Sequence, residues 1–384
     1  MRFHLAANEE DRLHIMKEMN QKFLERADQN DKVGSFPFKN IAELKETGYT
    51  SLTLPAEYGG KDLSLYELVR MQECIAEGDG ATALSIGWHM GIVKNLFEKK
   101  NWAPKQLEFL GEKVSRGSLI NSAATEPQTG SPTRGGKPHT NAEKKRDSWI
   151  INGRKSFTTM SLMLDYILVS ASIKGSDQIG NFLIPRTTKG VTIEETWDSI
   201  AMRASGSHDL VLENVELTLD SLVEYFTPGK KGANGWLLHI PACYLGIAQA
   251  AQSYVIQFAK QYSPSSIEGT IVDLPNVQQK IGEIELLLMK SRYFLYSVAR
   301  KWDESDAESR AEMSPQLGAV KHEVTNNAYK IVDIAMRIAG ARSLSATNPL
   351  QRYYRDVRAG LHNPPMDDMT IQLLAKYAIA KTKE

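Results

Sequence analysis

Apolar residues recur at helical spacing near both ends of the chain and follow a different pattern in the middle. The first group is separated by three or four positions, with charged residues between its members. It consists of Leu13, Met16, Met19 and Phe23. This spacing predicts an amphipathic helix. A second, mostly apolar helix is predicted over 81–96. We therefore assign residues 1–118 to an N-terminal helical domain.

The middle of the chain contains short runs rich in β-branched and aromatic residues, each bounded by Gly, Asn, Asp or Pro. These runs are 149–151, 166–169, 182–184, 191–193 and 210–212. Their spacing predicts a small antiparallel sandwich or barrel, which we assign to residues 119–228. Helical spacing returns afterwards, so residues 229–384 are assigned to a C-terminal four-helix bundle. The predicted fold class is α+β.

Composition narrows the functional classes. The chain has 384 residues and equal numbers of basic and acidic residues, 46 of each, so no net charge favours nucleic acid or an anionic membrane surface as a partner. No apolar run reaches the roughly 18 residues of a membrane span. Cys74 and Cys243 lack metal-ligand spacing, and we predict buried reduced thiols and no metal site. The polar, acidic N-terminus is unlike a signal peptide, which predicts a cytoplasmic location.

Two segments of the β domain carry the clearest candidate chemistry. Residues 121–131 read NSAATEPQTGS, and residues 149–159 read WIINGRKSFTT. The small residues, Pro and Gly-Ser pair of the first suit a loop whose backbone N–H groups approach a planar ligand and a phosphate. The second segment combines an Asn-Gly turn with a strand that ends in an aromatic residue and two threonines.

This pair of segments resembles the flavin-binding β domain of the acyl-CoA dehydrogenase family. The typical family sequences are T-E-P-x-x-G-S-D and N-G-x-K-x-W-I-T-N. The resemblance extends to residues 54–60 (LPAEYGG), 197–215, 277–284 and 349–358 (PLQRYYRDVR). It implies a helical, β and helical domain order, FAD as the cofactor, and a homotetramer whose last domain forms the core.

The resemblance also implies site residues. The expected FAD contacts are Thr125, Gly130, Ser131, Phe157, Thr158, Thr159 and Gly340. Thr125 would lie at the pyrimidine edge of the flavin ring and Thr159 on its N5 side, where donors stabilise developing negative charge. Phe157 would cover one ring face, where the family usually has Trp. Ser131 is also an expected substrate contact. His89, on the predicted apolar helix 81–96, is a second candidate substrate contact that could hold a proton, or it could be a hydrogen-bonded core or cavity-lining histidine. Taken singly, Thr125 could instead cap a turn and Phe157 could be sheet core.

Two other family motifs have changed here. The R-x-F-G motif, which usually reaches the FAD pyrophosphate of a neighbouring subunit, is replaced around residues 261–266. The Q-x-x-G-G motif near the adenine becomes MRIAG at 336–340. Arg337 or Arg342 could supply the missing positive charge. Weaker flavin binding would suit a reduced flavin that diffuses between proteins.

The catalytic base is a further departure from the family. Removal of the α-proton of an acyl thioester requires a carboxylate beside the substrate, and most members carry a Glu shortly after R-D-x-R. Residues 359–366 read AGLHNPPM, which places Pro364 or Met366 at that position. A second group of members carries the Glu on the preceding long helix, where this chain has Trp236.

Three residues are candidates for the missing catalytic group. Asp367 or Asp368 could act as a displaced base, or these aspartates could only charge the N-terminus of the final helix. His362 could hold a proton near an oxygenated flavin, because monooxygenases of this fold, such as dibenzothiophene monooxygenase, lack the Glu and often carry His nearby.

The leading expectation is therefore FAD-dependent α,β-dehydrogenation of an acyl-CoA thioester in fatty acid metabolism. Hydride transfer would go to flavin N5, and an electron-transfer flavoprotein would be the partner. The first alternative is a flavin-dependent monooxygenase supplied by a flavin reductase. A protein that binds flavin or acyl-CoA without turnover is the remaining alternative.

Overall fold

The computed structural model describes residues 2–130, 135–226 and 232–382. The N-terminal region contains five α-helices. They are α1 (Glu9–Val33), α2 (Phe38–Glu46), α3 (Leu65–Gly78), α4 (Gly80–Lys99) and α5 (Pro104–Ser115). Side-chain caps fix where two of these helices begin. The Asn8 side chain accepts the backbone N–H of Asp11 at the start of α1, and the Ser64 side chain accepts that of Glu67 at the start of α3. Gly34 ends α1 in the left-handed conformation, with φ of 67°.

The middle region is one twisted sheet of eight strands. They are β1 (Ile120–Ala123), β2 (Asn141–Lys144), β3 (Ser148–Thr158), β4 (Tyr166–Ile173), β5 (Ile179–Pro185), β6 (Val191–Glu194), β7 (His208–Thr218) and β8 (Leu222–Phe226). The order along the sheet is β6-β7-β3-β2-β4-β5-β8, and β1 pairs with β4.

This sheet is mixed, whereas the sequence predicted an antiparallel one. β4 pairs in parallel with both β1 and β2. β3 reverses the chain on one side of β2, and β4 then returns on the other side, so β4 runs in the same direction as β2. The remaining strand pairs are antiparallel.

The last region is helical. Its elements are α6 (His239–Gln261), α7 (Pro275–Glu304), α8 (Ala307–Ala311), α9 (Ser314–Ala339), α10 (Pro349–Gly360) and α11 (Asp367–Lys381). α9 packs against α6, α7 and α10, and α11 covers the start of α9. The helical, sheet and helical order confirms the predicted α+β fold class.

The first and last helical regions share one hydrophobic core. α3 lies directly on α6, where a Cβ added to Gly246 would be 2.2 Å from the backbone oxygen of Glu73, so only glycine allows this approach. Asp303, near the end of α7, accepts the backbone N–H groups of Leu65 and Tyr66 at 2.7 and 2.8 Å. A carboxylate from α7 therefore satisfies two backbone N–H groups that have no partner within α3 itself.

Within the described ranges, no helix combines the length and the apolar character that a membrane crossing requires. Across the same residues, no cluster of three or more His, Cys, Asp and Glu side chains has a geometry that could hold a metal ion.

Candidate functional site

The two segments singled out in the sequence meet at one end of β3. The backbone N–H of Ser156 donates to the carbonyl oxygen of Thr125 at 2.9 Å. On the other side, Asn121 Nδ2 donates to the carbonyl oxygen of Thr159 at 2.9 Å. The loop after β1 and the end of β3 thus form one surface, which we call the β3 platform: Thr125, Phe157, Thr158 and Thr159.

Phe157 presents its ring to the surface of this platform. A register shift between Lys155 and Thr158 interrupts the pairing of β3 with β7, and Phe157 adopts φ of 57°. This backbone conformation is uncommon for a bulky residue. The side chain is 62% exposed, and its ring meets the edge of Trp197 at 5.8 Å between centroids. The alternative of a sheet-core role for Phe157 is wrong, because the register shift turns the ring outward.

The hydroxyl groups next to this ring differ in their partners. Thr159 Oγ1 is 2.9 Å from Ser207 Oγ, which in turn is 2.7 Å from Ser205 Oγ. Thr158 Oγ1 is buried and has no partner within the part of the chain that the structure describes. Buried polar atoms are nearly always hydrogen-bonded. The exposed Phe157 ring fits a planar ligand such as a flavin, whereas the Thr158 hydroxyl is fully buried and lies out of reach of a ligand on this surface.

A buried ion pair lies beneath the platform. Lys155 Nζ is 2.8 Å from Glu126 Oε1. The Glu126 carboxylate also accepts the backbone N–H groups of His139 and Thr140 and the hydroxyl of Thr129. Burial raises the pKa of Glu126, but these hydrogen bonds outweigh burial and lower it overall; burial lowers the pKa of Lys155. Neither residue was assigned a role from the sequence, although both lie in the matched motifs.

The ion pair fixes the loop after Thr125. Glu126 and Gly130 exchange both backbone hydrogen bonds at 3.0 Å, and Gly130 has φ of 67°. This tight turn requires a residue that tolerates the left-handed region. Ser131, which follows, lies outside the described residues, so its predicted contacts with FAD and substrate stay predictions.

Gly340 lies elsewhere, in a cleft of about 310 Å³ at the end of α9. The described residues that line this cleft all belong to the last helical region, and they include Lys280, Arg337 and Arg342. The Arg342 guanidinium lies 4.3 Å from the centre of the Tyr262 ring and donates to its hydroxyl at 2.9 Å. Three basic side chains around a glycine suit phosphate groups.

Asp367 is the first residue of α11, as the helix-start interpretation expects. Its carboxylate accepts a hydrogen bond from Asn326 Nδ2 at 2.8 Å and lies 3.5 Å from Lys321 Nζ. The Lys321 side chain is only 2% exposed. Burial lowers the pKa of Lys321, and Asp367 opposes that change. Asp367 therefore compensates a buried charge on α9. His362 is exposed, in the turn before α11.

His89 uses both of its ring nitrogens within the protein. The backbone N–H of Ile120 donates to Nδ1 at 3.0 Å, so Nε2 carries the proton and donates to the carbonyl oxygen of Thr50 at 2.9 Å. Burial lowers the pKa of His89 to about 4. The imidazole is neutral and joins α4 to β1, which leaves neither nitrogen available to a substrate in this structure.

The two segments that would carry the missing carboxylate both have contacts with α6. Trp236 precedes this helix, and its ring packs against Trp88 and His239 at 5.8 and 5.7 Å between centroids. The segment 359–366 contacts the helix one to two turns later, where the Tyr244 hydroxyl donates to Asn363 Oδ1 at 2.5 Å. Aromatic and amide groups thus occupy the region where the family pattern has a carboxylate.

Family models place this chain in a known class of flavoproteins. The N-terminal domain of acyl-CoA dehydrogenase matches residues 9–100, the middle domain matches 121–215, and the C-terminal domain matches 238–363. The chain belongs to the acyl-CoA dehydrogenase family. It is an FAD-dependent oxidoreductase of this type, because FAD is the family cofactor and the β3 platform fits a flavin.

One sequence relative supports the family assignment, and two solved structures share the fold. The chain is 54% identical over 359 residues to the acyl-CoA dehydrogenase homologue YdbM of Bacillus subtilis (strain 168), with 93% of each chain covered. Its fold matches butyryl-CoA dehydrogenase from Megasphaera elsdenii with a TM-score of 0.85 at 20% identity, covering 99% of this chain and 100% of the other. FMN-bound TdsC from Paenibacillus sp. A11-2 matches with a TM-score of 0.85 at 22% identity, covering 96% and 97%.

Proposed function

We propose that this protein catalyses α,β-dehydrogenation of an acyl-CoA thioester. The observation that carries the proposal is the β3 platform, where the exposed Phe157 ring adjoins Thr125 and Thr159. When bound there, FAD supplies the acceptor for the hydride that leaves the substrate β-carbon. The high identity to YdbM over nearly the whole chain also supports an acyl-CoA dehydrogenase.

The residues of the platform have distinct roles in this proposal. Phe157 covers one face of the flavin ring. Thr125 offers hydroxyl and backbone donors to one edge of the ring, and Thr159 offers its hydroxyl to the other edge, because its backbone N–H already donates to the carbonyl oxygen of Phe157. These donors stabilise the negative charge of the reduced state. Ser131 contacts the pyrophosphate, as the family pattern implies.

The cleft at Gly340 holds the nucleotide end of FAD from a neighbouring subunit in a homotetramer. Arg337 and Arg342 line this cleft together with Lys280, and they take over the charge of the missing R-x-F-G motif. The cleft and the β3 platform are built from different regions of the chain, which is consistent with a cofactor completed across subunits.

The substrate α-proton needs an acceptor, and we assign this role to Asp367. Segment 359–366 itself carries no Asp or Glu. Asp367 is the next residue, and its carboxylate is held by Asn326 and lies near Lys321. The proton would pass to this carboxylate as the hydride leaves the β-carbon.

Anaerobic titration of the purified holoprotein with a panel of acyl-CoA thioesters tests the proposal. We expect the visible absorption of oxidised flavin to be lost with at least one thioester, and electrons to pass on to an electron-transfer flavoprotein. Free coenzyme A is the matched control and should leave the spectrum unchanged. If no thioester reduces the flavin while FAD is bound, the dehydrogenase proposal is wrong.

A flavin-dependent monooxygenase is the second candidate, because segment 359–366 contains no carboxylate and carries the exposed His362. This activity would consume oxygen only when a flavin reductase supplies reduced flavin. Oxygen uptake that depends on an organic acceptor, without anaerobic flavin reduction by acyl-CoA, would favour it. The cytoplasmic location and the role in fatty acid metabolism stay predictions.

A further inference from the structure

Three buried hydroxyl groups form a chain behind the β3 platform. Thr159 Oγ1 lies 2.9 Å from Ser207 Oγ, and Ser207 Oγ lies 2.7 Å from Ser205 Oγ. Both distances are those of O–H···O hydrogen bonds. Thr159 is 7% exposed, whereas Ser205 is fully buried. We call these three residues the hydroxyl chain, which has one end at the flavin platform and the other end inside the protein.

The protons of the hydroxyl chain can be counted. Each hydroxyl has one proton to donate, so two hydrogen bonds among three hydroxyls use two protons and leave one. Among the residues that the structure describes, neither Ser205 Oγ nor Ser207 Oγ has a hydrogen-bond partner outside the hydroxyl chain. A remaining proton on either serine would be a buried donor without an acceptor, which is unfavourable. The remaining proton therefore belongs to Thr159.

This count gives the hydroxyl chain a direction. Ser205 donates to Ser207, Ser207 donates to Thr159, and the Thr159 proton is left for an acceptor outside the hydroxyl chain. The backbone groups of Thr159 are occupied, because its N–H donates to the carbonyl oxygen of Phe157 and its carbonyl oxygen accepts Asn121 Nδ2, both at 2.9 Å. The three O–H dipoles point the same way, with their positive ends toward the platform, and each polarises the next.

The backbone around the two serines is held independently of their hydroxyls. The carbonyl oxygen of Ser205 accepts the backbone N–H of Met160 at 3.0 Å. The carbonyl oxygen of Gly206 accepts the backbone N–H of Ser161 at 3.2 Å and the Ser161 hydroxyl at 3.0 Å. Segment 205–207 is thus attached to the end of the platform by contacts that persist when one serine hydroxyl of the hydroxyl chain is removed.

We propose that Ser207 and Ser205 are positioning residues that orient the Thr159 hydroxyl toward the flavin and so raise the reduction potential of the bound flavin. Reduction adds negative charge to the flavin ring, and a donor fixed at the ring edge stabilises that charge more than it stabilises the oxidised ring. Without the two serines, the Thr159 hydroxyl would rotate and lose this orientation. The inference rests on the proposed contact between Thr159 and the flavin, and it applies to a dehydrogenase and to a monooxygenase alike.

The reduction potential of the bound flavin tests this inference. It is measured anaerobically by equilibrating the holoprotein with a reference dye, so no substrate is needed. Ser207→Ala should weaken the binding of reduced FAD relative to oxidised FAD by roughly tenfold, which lowers the potential by about 30 mV for a two-electron couple. Ser207→Thr keeps a hydroxyl at the same position and should keep the wild-type potential.

Ser161→Ala is the matched control. The Ser161 hydroxyl is also buried and also bonds segment 205–207, but it is not a member of the hydroxyl chain, so its loss should leave the potential unchanged. Thermal unfolding and titration of each apoprotein with oxidised FAD identify any variant that fails to fold or to bind. If Ser207→Ala does not fold, Ser205→Ala removes the first donor of the hydroxyl chain and should also lower the potential.

A double-mutant cycle with Thr159→Val tests whether the serines act through Thr159. Thr159→Val removes the hydroxyl, keeps the shape of the side chain, and should itself lower the potential. In that background Ser207→Ala should have no further effect, because no Thr159 hydroxyl is left to orient. An equal shift in both backgrounds would overturn the inference, and so would an unchanged potential in a folded Ser207→Ala variant that binds FAD.

The outcomes separate this inference from the proposed function. If Thr159→Val lowers the potential and Ser207→Ala does not, only the role of the serines is wrong. If Thr159→Val changes neither the affinity for FAD nor the potential, Thr159 does not contact the flavin, and its proposed role on the platform fails together with the inference. Failure of the acyl-CoA titration alone contradicts only the dehydrogenase proposal, because the potential is measured without substrate.

Discussion

The Lys155 ammonium lies 2.8 Å from the Glu126 carboxylate, and neither side chain is more than 3% exposed. The pair joins β3 to the loop that follows Thr125, and Lys155 is two residues from the exposed Phe157. A buried charge is tolerated when a partner and hydrogen bonds compensate it, as they do here. The position of the flavin platform therefore depends on a contact beneath it.

Glu126→Gln should destabilise the fold strongly. Loss of the carboxylate leaves the Lys155 ammonium buried without an opposite charge, which typically costs about 3–5 kcal/mol. The free energy of unfolding, measured in urea, tests this. The control is Asp177→Asn, which removes a fully exposed carboxylate from its pair with Lys137 and should have no measurable effect. A loss of less than about 1 kcal/mol for Glu126→Gln would contradict the prediction.

Acid should weaken the fold through His89. Burial lowers the pKa of this imidazole from 6.5 to about 4. The unfolded chain therefore binds a proton that the folded chain does not, between pH 6.5 and about 4. The contribution of the neutral His89 to the free energy of unfolding is complete above pH 6.5. It is lost as the pH falls from 6.5 to about 4, and the free energy of unfolding decreases by at most about 1.4 kcal/mol per pH unit.

Urea unfolding at several pH values measures this dependence. His89→Gln retains an acceptor and a donor but does not titrate, so its stability should fall less steeply across the same window. His239 has the same shift for the same reason and would account for part of the remaining slope. Equal slopes for the wild type and His89→Gln would show that His89 does not carry the effect.

Phe157→Ser should weaken FAD binding without destabilising the protein. The ring is 62% exposed, so its removal leaves no cavity in the core. Loss of aromatic stacking is worth up to about 1.5 kcal/mol, or roughly a tenfold increase in the dissociation constant of FAD. Flavin fluorescence titration of the apoprotein measures it. Phe109→Ser, at an exposed phenylalanine on α5, should bind FAD normally, and equal affinities of the two variants would argue against the platform.

Asp367→Asn should slow anaerobic flavin reduction by acyl-CoA by roughly 10²–10⁴-fold if Asp367 is the base. Asp368→Asn is the neighbouring control, because Asp368 is exposed and caps only the backbone of Met369. Stability must be measured in parallel, since Asp367→Asn also removes the compensating charge of Lys321. A folded Asp367→Asn variant with full activity would place the base elsewhere.

The protein should be a homotetramer in solution. The outer face of α7 exposes Leu286, Met289 and Tyr293 by 53%, 45% and 73%, at the spacing of one helical stripe. Light scattering at micromolar concentration should give four times the chain mass. Tyr293→Asp should reduce the assembly, whereas Leu219→Asp, at an exposed leucine between β7 and β8, should not. A monomer mass for the wild type would contradict both the tetramer and a cofactor completed across subunits.

Periodicity predicted the large elements and missed the short polar ones. The predicted helix over 81–96 corresponds to α4 (Gly80–Lys99), whose start is fixed by an Asp79 cap just outside the apolar pattern. β2 (Asn141–Lys144) escaped prediction because its four residues are Asn, Ala, Glu and Lys, and only its pairing with β3 and β4 makes it a strand. β6 (Val191–Glu194) is equally short but was predicted, because its Val, Thr and Ile favour a strand, so the composition of β2 and not its length concealed it.

Residues of the candidate site were predicted where they lie in the two matched motifs. Thr125 comes from the first motif and the run 157–159 from the second, and the structure brings the two motifs together. The partners from other segments were not found, among them Trp197 against Phe157 and Asn326 against Asp367. Such contacts follow from the tertiary path of the chain, which no local pattern records.

The carboxylate of Asp303 at the start of α3 has a consequence for how the protein is made. A chain that emerges from the ribosome has exposed all of α1 to α5 long before Asp303 is synthesised. During that interval the N–H groups of Leu65 and Tyr66 lack this acceptor, and α3 lacks α6 as a packing partner. The first helical region is therefore the beginning of the sequence but one of the last parts to reach its final state.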